Sequence, residues 1–338
     1  MKMREGWTKI TTIDMHTGGE PLRIYTGGLP EIKGNTILEK RRFFRDHYDH
    51  IRTGTMWEPR GHADMYGAVL TEPVNEGSDF GTFFLHNEGY STMCGHAIIA
   101  LAKYTLEMGL LQKEETNPVL HIDAPPGLIT ARAFREQNKV YRVSFKNVPS
   151  FVYMLNEEID IEALGRIKFD LAYGGAFYAI VEAGQLGLSL QATDLTGLIS
   201  AGRRIKKAIM EKHDIIHPFE DDLGFLYGVI FTASAEDKNN HSRNVCIFAD
   251  GEVDRSATGS GVSARAALHH ARGELKKAEK ISIESIVGST MDVEITENLK
   301  YGTYDAVVPE VSGSAYFTGR NEFWFDPEDP FKNGFILR

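Results

Sequence analysis

The chain has 338 residues, 42% apolar and 25% charged, with a formal net charge of −10 at pH 7. That length predicts two domains, that composition predicts packed cores rather than disorder, and the negative charge gives nucleic-acid backbones and anionic membranes nothing to attract, which leaves a small molecule as the expected partner. Neither a secretory signal in MKMREGWTKI nor a run of about 18 uncharged apolar residues is found, and the only cysteines are Cys94 and Cys246, so a cytoplasmic, reducing location is expected.

Residues 8–17 (TKITTIDMHT) and 21–28 (PLRIYTGG) are rich in β-branched and aromatic residues and bounded by turn formers, and are predicted strands. Residues 95–109 (GHAIIALAKYTLEMG) have helical periodicity and close on a glycine suited to a C-terminal cap. The Pro125-Pro126-Gly127 run within 121–130 breaks regular structure and marks an expected domain junction. Strands are predicted over 139–148, 244–253 and 278–288, and helices over 198–213 and 261–275. The extended stretch 312–330 is expected to return to the first sheet. The expected division is residues 1–125 plus about 306–338, carrying Cys94, and residues 126–305, carrying Asp254 and Thr258.

Two helices share a preamble: STMCGHAIIAL and RSATGSGVSARAAL each pass through a small, Gly-containing turn into an apolar helix. Aligning Cys94 with Thr258 gives an offset of 164 residues (258 − 94), about half the chain, and predicts two similar halves. Such a turn aims unpaired backbone N–H groups and the positive end of a helix dipole at one spot, which suits an anion. Placed there, Cys94 is expected to have a lowered pKa and to act as a sulfur base, while the same array binds a substrate carboxylate. The plain alternatives are an inert buried Cys94, an N-capping Thr258, a solvated Asp254 and a capping Ser91; a contact from Ser91 to a substrate hydroxyl is the functional reading of that residue.

MHTGGEPLRI at 15–24, MCGH at 93–96 and DRSATGSGVSA at 254–264 together resemble the proline racemase family. The resemblance implies an α/β (α+β) fold of the diaminopimelate epimerase-like type. Two pseudo-symmetric domains each wrap a mixed sheet around a central helix, with the active site between them. It further implies a catalytic role for Cys94, substrate binding by Gly95 and His96, and an amine contact from Asp254. Phe248 is implied as an aromatic pocket wall, and Gly259 and Ser260 as a carboxylate cradle. The family's second catalytic cysteine falls on Thr258; Ala97, Ala257 and Ser260 are smaller departures that leave the turns intact.

A racemase needs a base on each face of the α-carbon, and threonine is too weak an acid and base to serve without an activating partner. Cys246 lies twelve residues before Thr258 (258 − 246) in a predicted strand. Members with this Cys and Thr pairing are similar to dehydratases of trans-3-hydroxy-L-proline. The implied reaction is removal of the C2 proton by Cys94 and loss of the 3-hydroxyl as water, with Thr258 as its hydrogen-bond partner or donor and no cofactor. A proline racemase or hydroxyproline 2-epimerase is the enzymatic alternative, a non-catalytic amino-acid-binding protein the distant one, and a homodimer would suit the resemblance.

The segment Gly259-x-Gly261-x-x-Ala264 matches a dinucleotide fingerprint, but residues 250–258 separate it from the apolar strand, too many for that motif's tight turn. His213 and His217, or His47, Asp49 and His50, have spacings that can hold a metal, yet chance pairs are expected among 12 histidines and Pro218 ends the helix. No metal is expected.

Overall fold

A computed structural model describes residues 4–337. Strand β1 (Thr8–Thr17) turns through Gly18 and Gly19, both at positive φ, into antiparallel β2 (Glu20–Gly27). Helix α1 (Ile37–Met56) then crosses to β3 (Tyr66–Thr71), which lies parallel to β2, and β4 (Phe80–His86) and the short β5 (Gly89–Ser91) follow as antiparallel neighbours. Helix α2 (Gly95–Glu107) crosses to β6 (Val119–Ala124), parallel to β4, and β7 (Gly127–Glu136) and β8 (Lys139–Lys146) complete this half.

The second half repeats the scheme. After the antiparallel pair β9 (Ser150–Ile161) and β10 (Gly165–Tyr173) comes β11 (Phe177–Glu182), from which α3 (Leu195–Lys212) crosses to parallel β12 (Leu226–Ala233). Then follow β13 (Ser242–Phe248), β14 (Glu252–Asp254), α4 (Gly259–Ala271), β15 (Lys280–Glu284) parallel to β13, β16 (Thr290–Tyr301) and β17 (Tyr304–Gly313). Finally β18 (Ala315–Phe325) runs antiparallel along β1, from Thr17 opposite Ala315 to Thr8 opposite Phe325. It takes beside β1 the position that β9 takes beside β10. The fold is α+β, and pairing of β17 with both β8 and β9 joins the two halves into one continuous ladder.

Each half wraps its strands around one buried helix. In α2 every residue from Gly95 to Leu106 is buried, Lys103 included, whose Nζ donates to the Val140 carbonyl at 2.8 Å. In α4 burial extends from Gly259 to His269, and Arg265 is held by Asn244 Oδ1 at 2.7 Å and His269 Nε2 at 3.0 Å. Helices buried all round need mainly apolar or hydrogen-bonded side chains on every face, which accounts for the Ala- and Ile-rich sequence of α2 and the Ala-rich sequence of α4.

Three expectations change. The Pro125-Pro126 run is not a junction but the turn of the β6–β7 hairpin, Ala124 facing Gly127, so a boundary at 125 cuts a paired hairpin and the chain crosses between halves only after β8. The return to the first sheet starts at Ala315, since β17 still pairs with β16. The strand expected over 244–253 is two, β13 and β14, because Ala249 and Gly251 adopt positive φ and reverse the chain.

Candidate active site

The halves meet where α2 and α4 begin. A Cβ on Gly95 would lie 2.7 Å from Gly259 Cα, and one on Gly259 would lie 2.9 Å from Gly95 Cα, so the helix starts touch backbone to backbone. Each sheet's first hairpin packs on the other half's turn: Gly18 and Gly19 lie against Ser256 and Arg255, and Gly175 lies against Met93. Between the turns is a small, narrow cavity.

Cys94, Gly95, His96, Phe248, Asp254, Thr258, Gly259 and Ser260 all line this cavity. Backbone N–H groups at Gly95, His96, Gly259 and Ser260 belong to first helical turns and have no acceptor within their own helices. Glu20, Tyr66, Tyr178, Tyr227 and Cys246 line it as well, and the sequence reading did not assign them. Glu20 lay in plain view within MHTGGEPLRI; the tyrosines carry no local signal, since strand-end aromatics are ordinary core residues. Cys246, set aside as distant in sequence, reaches the wall because β13 pairs it with Asp254. Ser91 lies behind the wall, its Oγ hydrogen-bonded to the Tyr66 hydroxyl.

Cys94 caps α2, its sulfur accepting from the Ala97 N–H at 3.4 Å, and His96 Nδ1 lies 3.1 Å from Sγ. The expected low thiol pKa is not what this pocket gives. Burial pushes it well up; the Ala97 N–H and the Tyr66 hydroxyl pull it down, and the charges of Asp254 and Glu20 push it up again. A helix start lowers a thiol pKa only where desolvation does not outweigh it. Burial also lowers His96 to about 3, so its ring is neutral, and one ring N–H donates to the Pro21 carbonyl.

Thr258 occupies the N-cap position of α4 but does not cap: its φ is +65°, and Oγ1 is buried without a hydrogen bond of normal geometry. Left-handed backbone at a β-branched residue is strained. Two carboxylates complete the site. Asp254 is raised to about 6, chiefly by burial, and accepts from the Ser256 N–H at 2.7 Å. Glu20 is raised well above the ordinary range by burial and then by Asp254; Oε2 accepts from the Arg255 N–H at 2.7 Å, and Oε1 is buried and unpartnered.

His213 is the C-cap of α3, so His213 and His217 share no helical face. His47 is bound to the Phe43 carbonyl and Asp49 to Arg52, and among the described residues no group of three or more metal-ligating side chains converges. A hairpin, β13–β14, precedes α4 where a dinucleotide fold needs strand to pass directly into helix. No helix among the described residues is long and apolar enough to cross a membrane.

Paired helix starts, a thiol and two buried carboxyl groups thus converge on one small cavity. The chain belongs to the proline racemase family, whose pattern matches residues 12–336. It is 50% identical over 335 residues to a trans-3-hydroxy-L-proline dehydratase of Colwellia psychrerythraea, covering 99% of this chain and 94% of that one. It is 42% identical over 339 residues to the protein of that name in Homo sapiens, covering 98% and 96%. Among solved structures it superposes on a hydroxyproline epimerase of Agrobacterium vitis with bound trans-4-hydroxy-L-proline, with TM-score 0.92, 29% identity and coverage of 99% and 97%.

Proposed function

We propose that this protein is a hydro-lyase that dehydrates trans-3-hydroxy-L-proline. Near-full-length similarity to dehydratases supports the reaction. The observation that carries it is the inequality of the two turns, with a thiol at the start of α2 and a hydroxyl at the start of α4. One competent base removes a C2 proton; inversion needs two.

In this reading the substrate carboxylate lies on the N–H groups of Gly95, His96, Gly259 and Ser260, where charge also grows as C2 loses its proton. Asp254 takes the ring nitrogen, and Glu20 lies close enough to feel its charge. A ring ammonium offsets both carboxylates, relieving two of the influences that keep Cys94 protonated. The neutral His96 presents a ring nitrogen to the thiol. Phe248 stacks on Tyr227 at 5.4 Å and closes one wall. Cys94 then removes the C2 proton, the 3-hydroxyl departs, and the enamine Δ2-pyrroline-2-carboxylate tautomerises to the cyclic imine without a cofactor. Thr258 blocks the opposite face without offering a base.

The diaminopimelate epimerase-like assignment is part of this proposal, supported by the repeated βαβ scheme, as is a division near residue 148 with 315–338 joined to the first domain. Cytoplasmic location and a homodimer remain parts of the same reading. An epimerase is the second reading, favoured by the likeness to the Agrobacterium vitis enzyme. Proton NMR in deuterium oxide with trans-3-hydroxy-L-proline, L-proline and trans-4-hydroxy-L-proline separates them. Loss of the first to a cyclic imine is expected; inversion at C2 of the others without dehydration would overturn the assignment.

A further inference from the structure

The Tyr66 side chain is buried in the cavity wall beside Cys94. It shares a hydrogen bond with Ser91 Oγ in which either hydroxyl can donate, and burial pushes its pKa well up while Ser91 and Tyr227 pull it down and the neighbouring Cys94 sulfur pushes it up. Ser91 is buried, and its carbonyl is held by Arg41 from α1 at 3.3 Å. The Tyr66 ring packs edge-on against His96 at 4.8 Å. Tyr66 thus lines the cavity beside Cys94, while Thr258 stands across the pseudo-twofold relation from Cys94.

Substrate stereochemistry makes that side decisive. In trans-3-hydroxy-L-proline the hydroxyl and carboxylate lie on opposite ring faces, so the hydroxyl shares a face with the C2 hydrogen. A base that removes this hydrogen therefore meets the leaving group on its own side. Resting on the dehydratase reading, we propose that Tyr66 is the catalytic acid that protonates the departing 3-hydroxyl, where the sequence left Thr258 as either its hydrogen-bond partner or its proton donor. The Cys94 thiolate takes the C2 proton, and the C3–O bond breaks with its electron pair on oxygen. That oxygen takes the Tyr66 proton and leaves as water. Cys94 S–H then returns a proton to the Tyr66 phenolate along their hydrogen bond, restoring both groups with no solvent proton consumed.

The test compares water and fluoride as leaving groups. Fluoride departs from trans-3-fluoro-L-proline with far less need of an acid, and both substrates give the same enamine. Tyr66→Phe is expected to lose about 100-fold or more of its dehydration rate while eliminating fluoride within tenfold of wild type, the retained fluoride release also showing that the variant folds. Ser91→Ala should show the same selectivity at smaller size. Equal loss on both substrates, or undiminished dehydration by Tyr66→Phe, overturns the proposal. Wild-type enzyme that releases fluoride but never dehydrates the hydroxy substrate would sink the dehydratase reading, and the Tyr66 role with it.

Discussion

Gly95 and Gly259 meet backbone to backbone at the centre of the molecule, each standing where the other's side chain would be. Gly95→Ala or Gly259→Ala must part the two helix starts, because the obstacle is backbone and cannot rotate away. Overpacking of this kind costs about 1–3 kcal/mol, and a shift of about 1 Å in the cradle costs on the order of 100-fold in rate. Thermal unfolding and kcat/KM should therefore both fall, rate by the larger factor.

The thiol itself is separable from the fold. Serine caps helices well, so Cys94→Ser should keep its thermal midpoint while imine formation drops to background. Wild-type turnover by that variant would remove Cys94 from the mechanism.

Burial raises Asp254 to about 6, against 3.8 ordinarily. Since the ionised form is the one that holds a ring ammonium, kcat/KM should fall as pH drops through about 6, and Asp254→Asn should be slow with that acid limb gone. Stability moves the other way. A carboxyl that binds its proton more tightly folded than unfolded contributes most below pH 4 and loses that contribution as pH rises to 6, on the order of 3 kcal/mol at about 1.4 kcal/mol per pH unit. Denaturant titrations at pH 4, 6 and 8 should accordingly show Asp254→Asn gaining on wild type as pH rises.

Thr258→Cys removes a β-branched side chain from φ +65° and supplies the missing second thiol. The variant should be at least as stable as wild type, and trans-4-hydroxy-L-proline in deuterium oxide should acquire C2 deuterium with inversion. Exchange without inversion would place the new sulfur out of reach of C2.

Cys246 lines the cavity, but burial and the charge of Asp254 hold its thiol well above the ordinary range. Cys246→Ser should dehydrate within about fivefold of wild type, the size of effect expected from repacking a wall rather than from losing a base.

What the sequence made legible were features with local causes. The two Gly-containing turns and the helices behind them follow from composition within a dozen positions, while the eight cavity residues as a set came from the family resemblance. Helix α1 was not visible, because its inward face carries Lys40, Arg41 and Arg52 among the apolar residues and a kink falls at Tyr48. Those cations are satisfied by distant carbonyls, such as Ser91 for Arg41 and His86 for Arg52, partners no local pattern reveals. Glu20 and Tyr66 were missed for a related reason. Each looks like an ordinary strand residue until the hairpin of one half is seen to pack on the turn of the other.

The pairing of β18 with β1 also bears on biosynthesis. The second half is built from one uninterrupted stretch, and its strands can pair as they leave the ribosome. The edge of β1 stays bare until β18, which ends at Phe325, has emerged. An exposed strand edge recruits other chains, so a truncation before residue 315 should leave nascent protein prone to associate through β1, giving aggregate rather than a weakened enzyme.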